Sequence, residues 1–71
     1  MNENLLPVLY DCEHLADKLL SQMELQRDDA QDCMEGRMLA QYLTAYEEAR
    51  ARLLKIRQEL VVLRAGVSSG L

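Results

Sequence analysis

The amino-acid sequence predicts an all-α fold: an antiparallel two-helix hairpin, coiled-coil-like, that dimerises into a four-helix bundle. Three observations predict it. Between residues 39 and 63, core-type residues recur at alternating spacings of three and four: Leu39, Tyr42, Tyr46, Ala49, Leu53, Ile56, Leu60 and Leu63. Such spacing holds one stripe of a helix against another helix for several turns. The earlier half carries a matching stripe, Leu5, Leu9, Cys12, Ala16, Leu19 and Met23, which weakens at Gln26 and Ala30. Finally, folding the chain back pairs the stripes in order: Leu5 with Leu63, Leu9 with Leu60, Cys12 with Ile56, Ala16 with Leu53, Leu19 with Ala49, Met23 with Tyr46, Gln26 with Tyr42 and Ala30 with Leu39. Every pair of position numbers sums to 68 or 69, the constant sum that an antiparallel hairpin requires.

The chain reads as a single helical-hairpin domain over residues 1–71. Helix 1 is expected over about residues 5–30, with Asn4 placed to cap it and Pro7 in its first turn, where a missing backbone N–H costs little. The connector is expected over about residues 31–37. Asp32 and Glu35 have the spacing of a capping box for helix 2, while Gly36 suits the end of helix 1 equally well. Helix 2 follows over about residues 38–65, without an internal Gly or Pro, and the Gly- and Ser-containing residues 66–71 are expected to form a flexible tail.

Composition narrows the class. With 71 residues the chain is one small domain, and a single core of this size supplies only about 3–5 kcal/mol. Its only aromatic residues are Tyr10, Tyr42 and Tyr46. The net charge of −4 weighs against a nonspecific binder of polyanions, whose affinity comes from neutralising phosphates. Charge is also unevenly shared: residues 1–30 hold seven carboxylates against Lys18 and Arg27, whereas residues 37–71 hold six basic residues against Glu47, Glu48 and Glu59. No leader peptide opens the chain and no apolar run reaches the ~18 residues of a membrane span, so a cytoplasmic location is expected.

Glu13, Asp17, Glu24 and Asp28 fall on one narrow arc of helix 1, and Arg50, Arg57 and Arg64 recur every seventh residue beside the helix 2 stripe. The expected register places Asp17 near Arg50. These charges suit flanking ion pairs, and the carboxylate arc also suits docking of a basic partner. Once the seam is assigned, apolar residues remain on its shoulders: Val8, Leu15 and Leu20 on helix 1, and Met38, Leu43, Leu54, Val61 and Val62 on helix 2. Outer heptad positions of a solvated pair carry charge instead. A dimer or partner interface is therefore expected at Val8, Tyr10, Leu15, Leu20, Leu43, Leu54, Val61 and Val62.

No catalytic, cofactor-binding or metal-ligating residue is assigned. His14, the only histidine, lies on the outer face of helix 1, and a two-helix seam offers no cleft to orient it as a base. Cys12 points into the seam while His14 points away, so they do not converge on one metal ion. Cys12 and Cys33 lie about 30 Å apart along a helix, beyond the reach of an internal disulfide, which leaves Cys33 as a free thiol in the connector. No small-molecule substrate or membrane partner is implied.

These readings lead to a non-enzymatic protein–protein interaction module, a homodimer with a second protein partner. It is expected to bind and inhibit or sequester a larger intracellular protein, as a regulatory or phage-encoded inhibitor or adaptor does. In length and hairpin form the whole chain also resembles the smallest type III secretion needle-subunit co-chaperones, and that resemblance implies a chaperone-like role. The cluster Arg50, Arg52, Lys55 and Arg57 gives a further alternative, a dimeric RNA-binding hairpin similar in architecture to the small plasmid RNA-binding bundles.

Overall fold

A computed structural model describes the backbone over residues 2–69 and the side chains over residues 5–69. Two α-helices, α1 (Asn2–Cys33) and α2 (Gly36–Ser69), double back on each other as a rod 53 Å long and 15 by 13 Å across. The helical hairpin read from the heptads is therefore the fold, and its boundaries differ from expectation at both ends.

Helix α1 begins at Asn2 rather than near residue 5, so Asn4 lies within it, with a side chain outside the described residues. Pro7 consequently sits in the second turn, where it removes one backbone bond close to a helix end. The connector shrinks from seven residues to two, Met34 and Glu35. The Met34 N–H donates to the Ala30 carbonyl at 2.8 Å, and Gly36 then turns the chain with φ of 61°, in the left-handed region that a residue without Cβ enters cheaply. Because Gly36 alone reverses direction, Asp32 remains inside α1 and caps nothing in α2. At the far end α2 runs on through Gly66 to Ser69, where a tail is expected from the sequence. Val67 is half-buried, and the Ser69 hydroxyl donates to the Ala65 carbonyl at 2.8 Å. Gly70 and Leu71 lie outside the described residues.

The core is a line rather than a centre. Leu9, Ala16, Ala30 and Tyr46 are buried, and no large side chain among those described is wholly enclosed. Ala16 and Ala30 let the helices approach closely, and Tyr46 fills the opposing space.

The hairpin seam is rotated from the expected one. In α1 the covered positions are Leu9, Glu13, Ala16, Leu20, Met23, Arg27 and Ala30, with Cys12 at the edge. In α2 they are Leu39, Leu43, Tyr46, Arg50, Leu53, Arg57, Leu60 and Arg64, with Tyr42 and Val61 at the edges. Four expected seam leucines and isoleucines are largely open: Leu5 is 40% exposed, Leu19 48%, Ile56 51% and Leu63 52%; Ala49 and Gln26 are exposed as well. Their places are taken by Glu13, Leu20, Arg27, Arg50, Arg57 and Arg64. An arginine can line a seam because its aliphatic stem packs while its guanidinium reaches past the edge.

Candidate functional site

Rotation of the seam divides the rod into two unlike sides. At 100° per residue, Leu5, Val8, Leu15 and Leu19 lie about a quarter turn behind the covered positions of α1, and Met38, Ala45, Ala49, Ile56 and Leu63 lie about a quarter turn behind those of α2. The helices run in opposite directions and present their seams to each other, so the same backward rotation in each points to the same side. All nine residues are exposed, and together they form one apolar strip along both helices. On α1 it carries no charge, since its continuation is Gln22 and Gln26.

This open face only partly coincides with the expected interface. Val8 and Leu15 belong to it. Leu20, Leu43 and Val61 are instead half-covered between the helices, Tyr10 and Leu54 face the other side, and Val62 is exposed on the back of α2. The missed members, Leu5, Leu19, Ile56 and Leu63, had been absorbed into the hairpin seam. The signal that separates them is the positions of Arg57 and Arg64, which mark where α2 meets α1's carboxylates.

The opposite side, which also carries Tyr10 and Leu54, is cross-linked by charge. Arg57 grips Asp17 with both arms of its fork, Nε to Oδ1 at 2.5 Å and Nη2 to Oδ2 at 3.4 Å. Arg64 grips Glu13 in the same bidentate manner and stacks over the Tyr10 ring, 4.8 Å from its centroid. Glu13 is thereby nearly buried with its charge paired. Closer to the turn, Arg27 lies over Tyr46 at 5.3 Å, donates to the tyrosine hydroxyl at 3.5 Å and pairs with Asp28 at 3.3 Å, while its Nε is buried without a partner. Glu24 is exposed and Arg50 half-buried, with no ion pair to either among the described residues.

Asp17 therefore pairs one heptad further along α2 than the expected Arg50. Side chains lean toward the N-terminus of their own helix. In this hairpin those of α2 lean toward the turn and those of α1 away from it, so a long arginine meets a carboxylate set back from its own level. The hydrogen bonds it donates to Asp17 hold the Arg57 guanidinium above its ordinary pKa, and those donated to Glu13 and Asp28 do the same for Arg64 and Arg27. A cation raised in this way stabilises the fold below its unfolded pKa as long as its carboxylate partner is ionised, and stops doing so as pH climbs through the folded one. Its contribution is thus constant across the neutral range.

His14 is exposed on the back of α1, Cys12 is half-buried and Cys33 exposed, both as free thiols. Among the described residues no three His, Cys, Asp or Glu side chains gather where they could hold a metal ion, and no helix is long and apolar enough to cross a membrane. A shallow depression on the outside of α2 is lined by Arg37, Ala40, Gln41, Thr44, Ala45 and Glu48, and it is open to solvent. The cluster Arg50, Arg52, Lys55 and Arg57 is split, with Arg50 and Arg57 along the seam and Arg52 and Lys55 on the outer side of α2. Compared with protein-family models, with curated proteins and with solved structures, the chain matches none.

Proposed function

We propose that this hairpin is a non-enzymatic protein-binding module that engages a larger intracellular protein along its open apolar face and inhibits or sequesters it. The observation that carries the reading is the strip itself. Leu5, Val8, Leu15, Leu19, Ile56 and Leu63 stay in water on one side of a chain whose own core has room for few large side chains. Moving a large aliphatic side chain fully out of water contributes about 1.5–3 kcal/mol, and these residues, about half exposed, each offer about half of that to a partner that covers them. Function by occupation of a surface needs no reacting group.

Capture from a lysate of the native host tests this. The tagged chain should retain one protein in stoichiometric amount. Leu15→Glu together with Ile56→Glu should abolish capture, whereas Leu25→Glu, on the exposed back of α1, should leave it intact. Equal capture by both variants, or none by the native chain, would refute the proposal.

A further inference from the structure

The geometry points to a second copy of this chain as the occupant of the open face in the isolated protein, with the two hairpin turns at the same end of a four-helix bundle. Because the turn is Met34–Glu35, residues equally distant from it lie at one level of the rod. Large apolar residues of the open face crowd the end away from the turn: Leu5 and Val8 beside Leu63, then Leu15 and Leu19 opposite Ile56 and Ala49. Toward the turn the face is Gln22, Gln26, Ala45 and Met38. Two copies related by a twofold axis along the rod bring the leucine-rich halves together, with α1 of each against α2 of the other. Leu5 then meets the partner's Leu63, and Leu19 meets the partner's Ala49, leucine opposite alanine. A twofold across the rod would instead set Leu5 and Val8 against the glutamines and alanines near the turn.

The pairings themselves support the parallel-turn arrangement. Of the eight pairs that sum to 68 or 69, Leu9–Leu60, Ala16–Leu53, Met23–Tyr46 and Ala30–Leu39 are the covered half of the stripe and close the hairpin. The alternating members, Leu5 and Leu63, Leu19 and Ala49, are left exposed by it, with Cys12 and Ile56 at the edge and on the face. Those residues keep the same register across the twofold, so one sequence pattern specifies two interfaces. The apolar stripe of each helix is accordingly centred between its hairpin neighbour and the open side, which is where the axis of a four-helix bundle lies. The outline of 53 by 15 Å gives the face a projection of about 800 Å², the scale of a standard interface when its whole length is covered.

This inference rests on the same open face as the functional reading, yet the two fail separately. Sedimentation equilibrium should give twice the 8.1 kDa chain mass. A bismaleimide applied to the native chain should join Cys33 to Cys33 of a second copy, identified by mass spectrometry of the linked peptide. Leu15→Glu should remain helical by circular dichroism and sediment as a monomer, while Leu25→Glu stays dimeric. Should Leu15→Glu lose its helices, Leu15→Ser serves, with dimer dissociation strengthened roughly tenfold or more. A monomeric native chain overturns the inference even if a host protein is captured. A dimer that never links Cys33 to Cys33 overturns it too, because turns at opposite ends would hold these thiols about a rod length apart. A dimer of the stated form that captures no host protein leaves it standing and removes the functional reading.

Discussion

At the scale of single residues, the rotated seam separates side chains that the heptad pattern treats alike. Leu9 and Leu19 occupy equivalent places in the sequence stripe, yet Leu9 is buried and Leu19 about half exposed. In solutions too dilute for association, Leu9→Ala should destabilise the hairpin by about 2–5 kcal/mol and Leu19→Ala by less than about 0.5 kcal/mol, read from urea midpoints. At concentrations that support association the second variant should weaken the dimer instead. Tyr46 is the largest covered side chain, and Tyr46→Ala should remove about 3–5 kcal/mol, comparable to what one small core supplies. Its far-ultraviolet circular dichroism should therefore show a largely unfolded chain. Tyr46→Phe, which keeps the ring under Arg27 and loses only the hydroxyl that Arg27 reaches, should stay folded.

At the scale of the helices, the two glycines of the described chain make opposite demands. Gly36 has a φ of 61° at the reversal, and adding a Cβ there strains the backbone by about 1–2 kcal/mol although nothing lies within 4 Å. Gly66 sits inside α2 with open space around it, so Gly66→Ala should stabilise the hairpin by about 0.5–1 kcal/mol through helix propensity. Thermal melts of the two variants should move in opposite directions, and parallel shifts would contradict the assigned turn. The helices themselves were legible because their stripes persist for many turns without an interrupting glycine or proline, Pro7 lying too near the start to matter. The turn was legible in position and not in length, since Asp32 and Glu35 offered a capping pattern that competed with Gly36. The azimuth of the seam was not legible from apolar residues alone. Leu5, Leu19, Ile56 and Leu63 are as apolar as Leu9 and Leu60, and periodicity averages the two faces into one stripe. Arg57 and Arg64 carry the missing information, because a guanidinium that must reach Asp17 or Glu13 fixes which edge of α2 adjoins α1. The cross-strut pairing shifted by a heptad for an equally physical reason, the opposed lean of side chains in antiparallel helices.

At the scale of the whole molecule, the proposed second copy and the proposed larger target would claim the same side of the rod. The charged side holds the hairpin closed through Arg57–Asp17 and Arg64–Glu13, while the open side holds Leu5, Leu15, Leu19 and Leu63. If the isolated chain rests as a dimer, a target gains the face only when one hairpin leaves, and dimer and complex then exclude each other by mass action. This predicts that the amount of target captured per chain falls as the hairpin concentration rises well above its dimer dissociation constant. A reversible lock makes the test sharper. Joining the two Cys33 thiols, which lie free and exposed beside the turn, with a bismaleimide whose spacer contains a reducible bond should abolish capture, and a reductant should restore it. Cys33→Ser should capture the target under either condition, since the lock is lost and the face is untouched. Capture by the cross-linked dimer at the level of the unlinked chain would place the target on the outer surface of the bundle, and the open face would then serve self-association alone.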